Sequence, residues 1–337
     1  MKTVCTLFYR TCICACAAKR TASRACRHEI RSSKGFAVKA RGYSVIVLSV
    51  FLGIVADAGA AAGTACPQHY VAGSAPVIIN PKVAAKTTEL CYEAFGVEHS
   101  GVTHTPLWSA EHLVRDNIES AQAMSRQNAF HADARVPDGE RAELRDYARS
   151  GFDRGHMAPN GDMPTRSAQY ESFTLANMVP QDPNNNRYIW EGIESAVRRL
   201  AKSDGEVYVL SGPAFLGTDL QQIGKVLVPT HLFKVIYRPR LHQAAAYFVK
   251  NEATKEYTII SVAQLEQTVG IKLLPGVPHQ IKDVAAELPA PTPHNEGEGV
   301  GRASKHRQGS GVTVPDAYRR NPKIIDAVEQ LFRLLHK

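Results

Sequence analysis

Polar side chains of several chemical types are concentrated in the segment SGFDRGHMAPNGDM, residues 150–163. Asp153, Arg154 and His156 are close neighbours there, and no single helix or strand face is expected to bury all three together. Histidine can accept a proton from water near neutral pH, whereas arginine stays charged and offers a planar fork to a phosphate group. This combination suits hydrolysis of a phosphodiester, and a turn whose polar groups satisfy one another is the alternative.

A second pair of polar residues lies on a predicted helix that runs from about residue 186 to residue 202. Asn186 stands at its start and Glu194 about two turns later, so both side chains are expected on the same side. Oxygen ligands near a helix N-terminus suit a hard cation such as magnesium, which keeps most of its waters. An asparagine that only caps the helix is the alternative for Asn186.

These residues and their order resemble a known family. DRGHMAP at 153–159, LANMVPQ at 175–181, and then Asn186 and Glu194 are similar to the motifs of DNA/RNA non-specific endonucleases of the ββα-metal superfamily. The resemblance covers approximately residues 88–270, and its first part is similar to the entry segment of the secreted bacterial members. It implies a fold with a ββα-metal active-site motif.

The resemblance also implies the parts of a metal-dependent reaction. His156 would be the general base, and Asn186 would be the single protein ligand of a hydrated magnesium ion, with manganese as the alternative metal. Glu194 would hold the waters bound to that metal. Because Asn184 and Asn185 precede Asn186 directly, the choice of ligand depends on the exact register of the helix.

Substrate contacts are implied in the same way. Arg154 and Arg126 would bind the substrate phosphate and stabilise its charge, while Asp153 would help to orient the site. Water would attack phosphorus in line and leave 5′-phosphate ends, without any need for the 2′-hydroxyl. DNA and RNA are therefore the expected substrates, cut without sequence specificity. An inactive nucleic-acid-binding module and a secreted phosphodiesterase for another substrate are the alternatives.

The rest of the sequence predicts an α+β fold, with a central, mostly antiparallel sheet flanked by helices. A short helix is predicted at 167–173, a helix-favouring segment at 139–150, and irregular chain at 64–104, where prolines interrupt any pattern. Strands are predicted at 105–113, 206–212, 231–238, 243–250 and 257–262.

Charge is distributed unevenly along the chain. Residues 1–42 contain ten lysines and arginines and one acidic residue, Glu29, so the remainder is close to neutral although the formal net charge is +8. Overall basicity therefore says nothing about the partners of the folded part. Arg187, Arg198 and Arg199 are the candidates for a local basic cluster, with a solvated helix face as the alternative.

The basic N-terminal residues precede a short apolar run at 45–55 and then small residues. This order predicts a leader over residues 1–60 with a secretory signal peptide, with translation starting near Val38 as an alternative. A bacterial periplasmic or secreted protein is expected, and a mitochondrial transit peptide is the alternative. Once such a signal is cleaved, no stable membrane association is expected.

The sequence also predicts the limits of the domains and a pairing of two cysteines. The nuclease domain is predicted at 61–285, a disordered linker at 286–320 and a helix at 321–337. Five of the seven cysteines lie in the leader, which leaves Cys66 and Cys91. In an oxidising compartment this pair is expected to form a disulfide, with two buried thiols as the alternative.

Overall fold

The computed structural model describes residues 63–81 and 83–292. All of these residues belong to one compact unit. The predicted leader, the predicted C-terminal helix and most of the predicted linker lie outside the described residues. Within those two ranges, no helix has the length and apolar character needed to cross a membrane.

The elements of the described residues follow in chain order. The strands are β1 (Val77–Ile78), β2 (Thr87–Cys91), β3 (Gly96–Ser100), β4 (Thr105–Val114), β5 (Asp153–His156), β6 (Met178–Gln181), β7 (Glu206–Ala214), β8 (Gln222–Ile223), β9 (Val226–Leu227), β10 (His231–Arg238), β11 (Gln243–Lys250), β12 (Thr258–Ile260) and β13 (Ile271–Lys272). The α-helices are α1 (Arg115–Gln122), α2 (Leu144–Tyr147), α3 (Arg166–Ser172), α4 (Glu191–Asp204), α5 (Val262–Val269) and α6 (His279–Lys282), and a π-helix at Asn185–Trp190 runs directly into α4.

A seven-stranded sheet with the order β12-β11-β10-β7-β4-β3-β2 is the centre of this unit, and all of its neighbouring strands are antiparallel. The predicted α+β class and the antiparallel sheet are confirmed. The prediction of irregular chain at 64–104 is wrong, because β2 and β3 form an edge hairpin there. The mixed burial of these two strands gives no clear alternation of apolar and polar residues, so the sequence pattern does not reveal them.

The helix-favouring segment at 139–150 is only partly helical. It contains α2, which begins after a reciprocal cap between the Glu143 and Asp146 side chains and backbone. The chain is already extended at Ala148, and Arg149 has a left-handed backbone with φ of 58°. These two residues end the helix earlier than the composition suggests.

The two faces of the large sheet have different partners. One face packs against α4 and the β5–β6 ribbon, and we call it the motif face. The other face, here the α5 face, packs against α5, the chain at 271–277 and the segment around Tyr70. Each fully buried Leu, Ile, Val or Phe side chain on either face contributes about 1.5–3 kcal/mol.

The last described residues pack against the domain. Leu288 is buried in the core of the motif face, and the hydroxyl of Tyr247 donates to the carbonyl of Pro289 over 2.6 Å. Arg199 Nη2 donates to the carbonyl of Ala290 over 3.4 Å. The folded unit therefore extends to at least Thr292, beyond the predicted limit at 285.

Cys66 and Cys91 are neighbours near the edge of the sheet. Both are free thiols, with Cys66 fully buried and Cys91 half-buried. Burial and a hydrogen bond with the Cys91 side chain raise the pKa of Cys66 to about 12. The pair is close enough for the thiols to interact, and the disulfide stays a prediction.

Candidate active site

The DRGH segment is the strand β5, which pairs with β6 in a separate two-stranded antiparallel ribbon. All three motif residues lie on this strand but not on one face of it, since Arg154 and His156 share one side and Asp153 lies on the other. Successive side chains of a strand point to opposite sides, so residues two apart share one face. Asp153 lies on the other side of the strand, where it contacts the start of the following helix.

Gly155 allows the two strands of the ribbon to approach closely. A Cβ atom at this position would lie 1.9 Å from Oε1 of Gln181 on β6. The same glutamine donates from Nε2 to Oδ1 of Asn185 over 2.8 Å, so it also holds the beginning of the π-helix. Any larger residue at 155 would have to displace the Gln181 side chain, which holds Asn185.

Two side chains hold the backbone around His156. Trp190 donates from Nε1 to the His156 carbonyl over 3.3 Å. Asn177 donates to the Ala158 carbonyl over 2.8 Å and accepts from the Ala158 N–H over 2.9 Å. It also accepts from the hydroxyl of Ser109 on β4 of the large sheet over 2.7 Å. The histidine is therefore fixed from both the helix and the sheet.

The His156 side chain is enclosed by aromatic rings. Its ring centroid lies 5.0 Å from that of Phe173 and 5.8 Å from that of Phe130. Nε2 is buried and has no hydrogen-bond partner among the described residues. Burial, reinforced by the positive charge of Arg126, lowers the pKa of His156 to about 3. The imidazole is thus neutral at physiological pH and can accept a proton.

An open cleft of about 720 Å³ lies beside this histidine. The structure brings all six residues predicted for catalysis, substrate binding and metal binding to its walls: Arg126, Asp153, Arg154, His156, Asn186 and Glu194. The predicted Cys66–Cys91 pair does not line the cleft.

The two predicted phosphate-binding arginines are held by aromatic rings. Arg154 Cζ lies 4.5 Å from the ring centroid of Phe130, and Arg126 Cζ lies 5.0 Å from that of Phe173. Arg126 donates to Asn128 over 2.8 Å, while the Arg154 guanidinium has no hydrogen bond or ion pair within the described part of the chain. The stacking leaves guanidinium N–H groups available for an anion.

Asp153 orients the beginning of the π-helix. Its Oδ2 accepts a hydrogen bond from Nδ2 of Asn186 over 3.0 Å. The same carboxylate also accepts hydrogen bonds from both Nε and Nη2 of Arg187. The hydrogen bonds and the charge of Arg187 outweigh burial and lower the pKa of Asp153. Because the Asn186 amide nitrogen is directed to Asp153, its Oδ1 is the atom left to bind a cation.

The three consecutive asparagines lie in different surroundings. Asn184 is exposed, whereas Asn185 is fully buried and donates to the carbonyl of Lys250 over 2.6 Å. Asn186 is half-buried and lines the cleft. This arrangement favours Asn186 as the ligand over its two neighbours.

Glu194 lies among other charged groups. Burial raises its pKa to about 7, while the positive charges of Lys234 and Arg198 act in the opposite direction. Arg198 also lines the cleft, with Nη1 3.0 Å from Oδ1 of the buried Asp162. Arg198 was predicted only as a candidate for a local basic cluster, and its position one helical turn after Glu194 is the signal in the sequence that places it at the site.

The residues of the cleft fit a hydrated hard cation. No group of three His, Cys, Asp or Glu side chains within 63–81 and 83–292 is arranged to hold a metal ion. The amide oxygen of Asn186 and the nearby carboxylate of Glu194 match instead the needs of magnesium, which binds few protein oxygens directly.

Two of the three arginines predicted as a local basic cluster, Arg187 and Arg198, line the cleft. Arg187 is paired with the carboxylate on β5, and Arg198 is paired with Asp162. Arg199 lies elsewhere, against the carbonyl of Ala290. Arg187 and Arg198 have carboxylate partners within the folded unit, whereas Arg126 and Arg154 line the cleft without an ion pair among the described residues.

An antiparallel ribbon that leads into a helix, with a histidine on the ribbon and an asparagine at the helix start, defines a nuclease of the ββα-metal class. The sequence profile of the DNA/RNA non-specific endonuclease family matches residues 74–280, and the chain belongs to this family.

Several relatives are similar over about half of this chain. Nuclease C1 of Cunninghamella echinulata var. echinulata is 38% identical over 46% of this chain and 67% of its own length. Nuclease EXOG, mitochondrial, of Danio rerio is 36% identical over 53% of this chain and 58% of its own length. The mitochondrial nuclease of Saccharomyces cerevisiae is 32% identical over 52% of this chain and 62% of its own length.

A solved structure has the same fold. The match is to the crystal structure of the EndoG/EndoGI complex, which was solved for the mechanism of EndoG inhibition. The TM-score is 0.53 and the sequence identity 26%, over 57% of this chain and 88% of the other. The match agrees with the assignment of the central sheet and ribbon to a ββα-metal nuclease.

The relatives also correct the predicted location. The proteins from zebrafish, yeast, humans and fission yeast are named as mitochondrial nucleases. The prediction of a bacterial periplasmic or secreted protein is therefore wrong. A basic leader followed by an apolar run is a pattern that bacterial signal peptides share with other targeting segments.

Proposed function

We propose that this protein is an endonuclease that hydrolyses phosphodiester bonds in both DNA and RNA and leaves 5′-phosphate ends. The observation that carries the proposal is the neutral, buried His156 beside Arg154 on one face of β5, within the same cleft as Asn186. Membership of the family supports the reaction class. Magnesium is the proposed metal, with manganese as the alternative.

His156 would act as the general base. Because its pKa is about 3, the imidazole is not protonated at neutral pH before the substrate binds. A bound phosphate would bring negative charge beside the ring and raise its affinity for a proton, so that it can take one from the attacking water. General-base catalysis of this kind contributes about 10²- to 10⁴-fold to the rate.

Arg154 and Arg126 would bind the phosphate and stabilise the charge that develops on it. Their stacking on Phe130 and Phe173 holds the guanidinium groups in place before the substrate binds. Such preorganised donors favour the transition state, because they need little rearrangement at the moment of reaction.

Asn186 would hold the metal ion through Oδ1, and Glu194 would accept hydrogen bonds from its waters. When bound, the ion would stabilise negative charge on the departing 3′-oxygen. Asp153 would keep the Asn186 amide turned in the required direction, through the hydrogen bond to Nδ2.

The same contacts explain why both nucleic acids are proposed as substrates. The arginines of the cleft are suited to phosphate oxygens, which carry no sequence information directly. An external water attacks in this mechanism, so the ribose 2′-hydroxyl takes no part. DNA and RNA would therefore be cut by the same residues.

Incubation with plasmid DNA and with a structured RNA, in magnesium or in EDTA, tests the proposal. We expect magnesium-dependent loss of both polymers by the full chain and no loss with His156→Ala. His242→Asn, a substitution at an exposed turn between β10 and β11, is the matched control and should cut normally. Intact polymers with folded wild-type protein would instead favour a nucleic-acid-binding module without catalysis.

We also propose a mitochondrial location. The names of the relatives support it, and residues 1–42 have the basic, acid-poor composition of a mitochondrial transit peptide. Fractionation of eukaryotic cells that express the tagged full chain should recover it with mitochondria. Recovery in the cytosol or the medium would contradict the proposal.

A further inference from the structure

Two lysine side chains are buried within the described residues, and their partners differ. Lys282 is fully buried, with its Nζ 2.8 Å from Oε2 of Glu266. Lys234, in the middle of β10, is 1% exposed and takes part in none of the ion pairs found among the described residues. Burying an ammonium group is costly unless other groups balance its charge.

Lys234 donates hydrogen bonds to a neighbouring strand and to the residue that follows the catalytic histidine. Its Nζ donates to the hydroxyl of Ser211, its cross-strand partner on β7, over 2.5 Å, and to the carbonyl of Met157 over 3.3 Å. Met157 follows His156 directly. The same Nζ lies 5.1 Å from the ring centroid of Trp190, the residue that holds the His156 carbonyl. One ammonium group thus contacts the sheet, the end of β5 and the π-helix.

Two carboxyl groups that Lys234 does not touch directly, those of Glu111 and Glu194, interact electrostatically with it. Glu111 lies two strands away on the motif face, fully buried, and neither of its carboxyl oxygens has a hydrogen-bond partner within the described residues. Burial raises the pKa values of Glu111 and Glu194, and Lys234 lowers both. The other charged groups that face these two carboxyls are Asp162, Glu191, Arg198 and Arg126.

We propose that Lys234 is a positioning residue of the nuclease reaction. It holds the backbone next to His156 through the Met157 carbonyl, and its charge balances the carboxyl groups of Glu111 and Glu194 beneath the cleft. The inference rests on the proposed function for its effect on catalysis. A neutral donor at position 234 could satisfy the Met157 carbonyl but could not balance the carboxylates.

The variant Lys234→Met keeps an unbranched side chain of nearly the same length but removes its charge and its hydrogen bonds to Met157 and Ser211. We expect kcat per folded molecule to fall at least tenfold while KM changes less than twofold, because no contact with substrate is lost. Lys282→Met, the matched control, should keep its kcat. In Glu111→Gln/Lys234→Met the charge balance is partly restored, so kcat should be at least threefold higher than in Lys234→Met alone.

A second measurement does not depend on activity. In metal-free protein labelled with ¹³C at glutamate carboxyls, the Glu194 signal, assigned by its loss in Glu194→Gln, should titrate at higher pH in Lys234→Met than in the wild type. If the single variant does not fold, the double variant compared with Glu111→Gln should show the same upward change. Wild-type protein without nuclease activity would defeat the proposed function and leave this comparison intact.

The role of Lys234 would be overturned by a folded Lys234→Met with wild-type kcat and an unchanged Glu194 titration. It would also be overturned if Lys282→Met lost kcat to the same extent, since that result would mean that any buried lysine supports the cleft through general stability. Equal kcat values for Lys234→Met and the double variant would contradict the part played by charge balance.

Discussion

Buried charged side chains have different ionic partners on the two faces of the central sheet. On the α5 face, the buried Lys282 forms a close ion pair with Glu266, and that carboxylate also accepts from the backbone N–H groups of Leu273 and Leu274. On the motif face, Lys234 and Glu111 are equally buried, but they have no direct ionic partner among the described residues. The first arrangement joins α5 and α6, whereas in the second, among the residues that the structure describes, Lys234 donates only to the Ser211 hydroxyl and the Met157 carbonyl.

This difference indicates that the groups that destabilise the fold lie on the face that supports the candidate active site. Buried charge without a direct ionic partner and an unpaired imidazole nitrogen are unfavourable in a folded protein, and both occur on the motif face around His156. On the α5 face the buried lysine is paired directly with a carboxylate. Substitutions on the motif face should therefore affect activity first, and those on the α5 face should affect stability first.

The largest effect is expected from His156→Ala. Loss of the general base should lower kcat/KM by about 10³-fold, equivalent to about 4 kcal/mol of transition-state stabilisation. Steady-state cleavage of a fluorogenic DNA duplex, together with a thermal unfolding curve, separates this loss from loss of fold. Activity within tenfold of the wild type would remove His156 from the proposed role.

Lys282→Met should have the opposite outcome. Removing one partner of a buried ion pair should lower the free energy of unfolding by about 3 kcal/mol, since two backbone N–H groups continue to support Glu266. Urea denaturation followed by tryptophan fluorescence measures this change. A loss of activity per folded molecule would break the distinction between the two faces.

The unpaired His156 should also make stability depend on pH. The imidazole of the unfolded chain binds a proton below its ordinary pKa of 6.5, whereas the folded one does so only near 3. Stability that is present above 6.5 is therefore lost as pH falls, by about 2 kcal/mol at pH 5. Denaturation of metal-free wild type and His156→Asn at pH 7 and pH 5 tests this. An equal loss in both proteins would contradict the assigned environment.

Asp153→Asn should give the smallest effect. The change breaks the bidentate pair with Arg187 and the orientation of Asn186, so activity at a fixed magnesium concentration should fall about tenfold and recover as magnesium is raised. The matched control is Asp133→Asn, which breaks a pair with Arg135 outside the cleft. A similar loss of activity in the control would show that the effect is structural.

The sequence predicts some parts of this molecule well. The bounds of β10 and β11 agree with the predicted strands, and the six residues expected at the site line one cleft. The motifs locate the site because most of its residues lie on one short ribbon and on the helix that follows it. These two elements are close together in the chain. The π-helix is missed, because one extra residue per turn leaves no signal in a pattern of apolar spacing.

The buried charges could not be predicted in the same way. HLFKVIYR has the composition of an ordinary strand, in which a lysine is expected to reach solvent. Only the register of the sheet places Lys234 opposite Ser211, on the face that supports the ribbon. The burial of Glu111 could not be predicted either, because its neighbours on the sheet come from distant parts of the chain.

The most direct test of the central claim is hydrolysis of DNA and RNA in water enriched in ¹⁸O, followed by mass spectrometry of the fragment ends. If His156 activates water that attacks phosphorus with departure of the 3′-oxygen, ¹⁸O should appear in the 5′-phosphate of both products. Fragments from RNA that end in a 2′,3′-cyclic phosphate, or ¹⁸O in a 3′-phosphate, would contradict the mechanism assigned to this cleft.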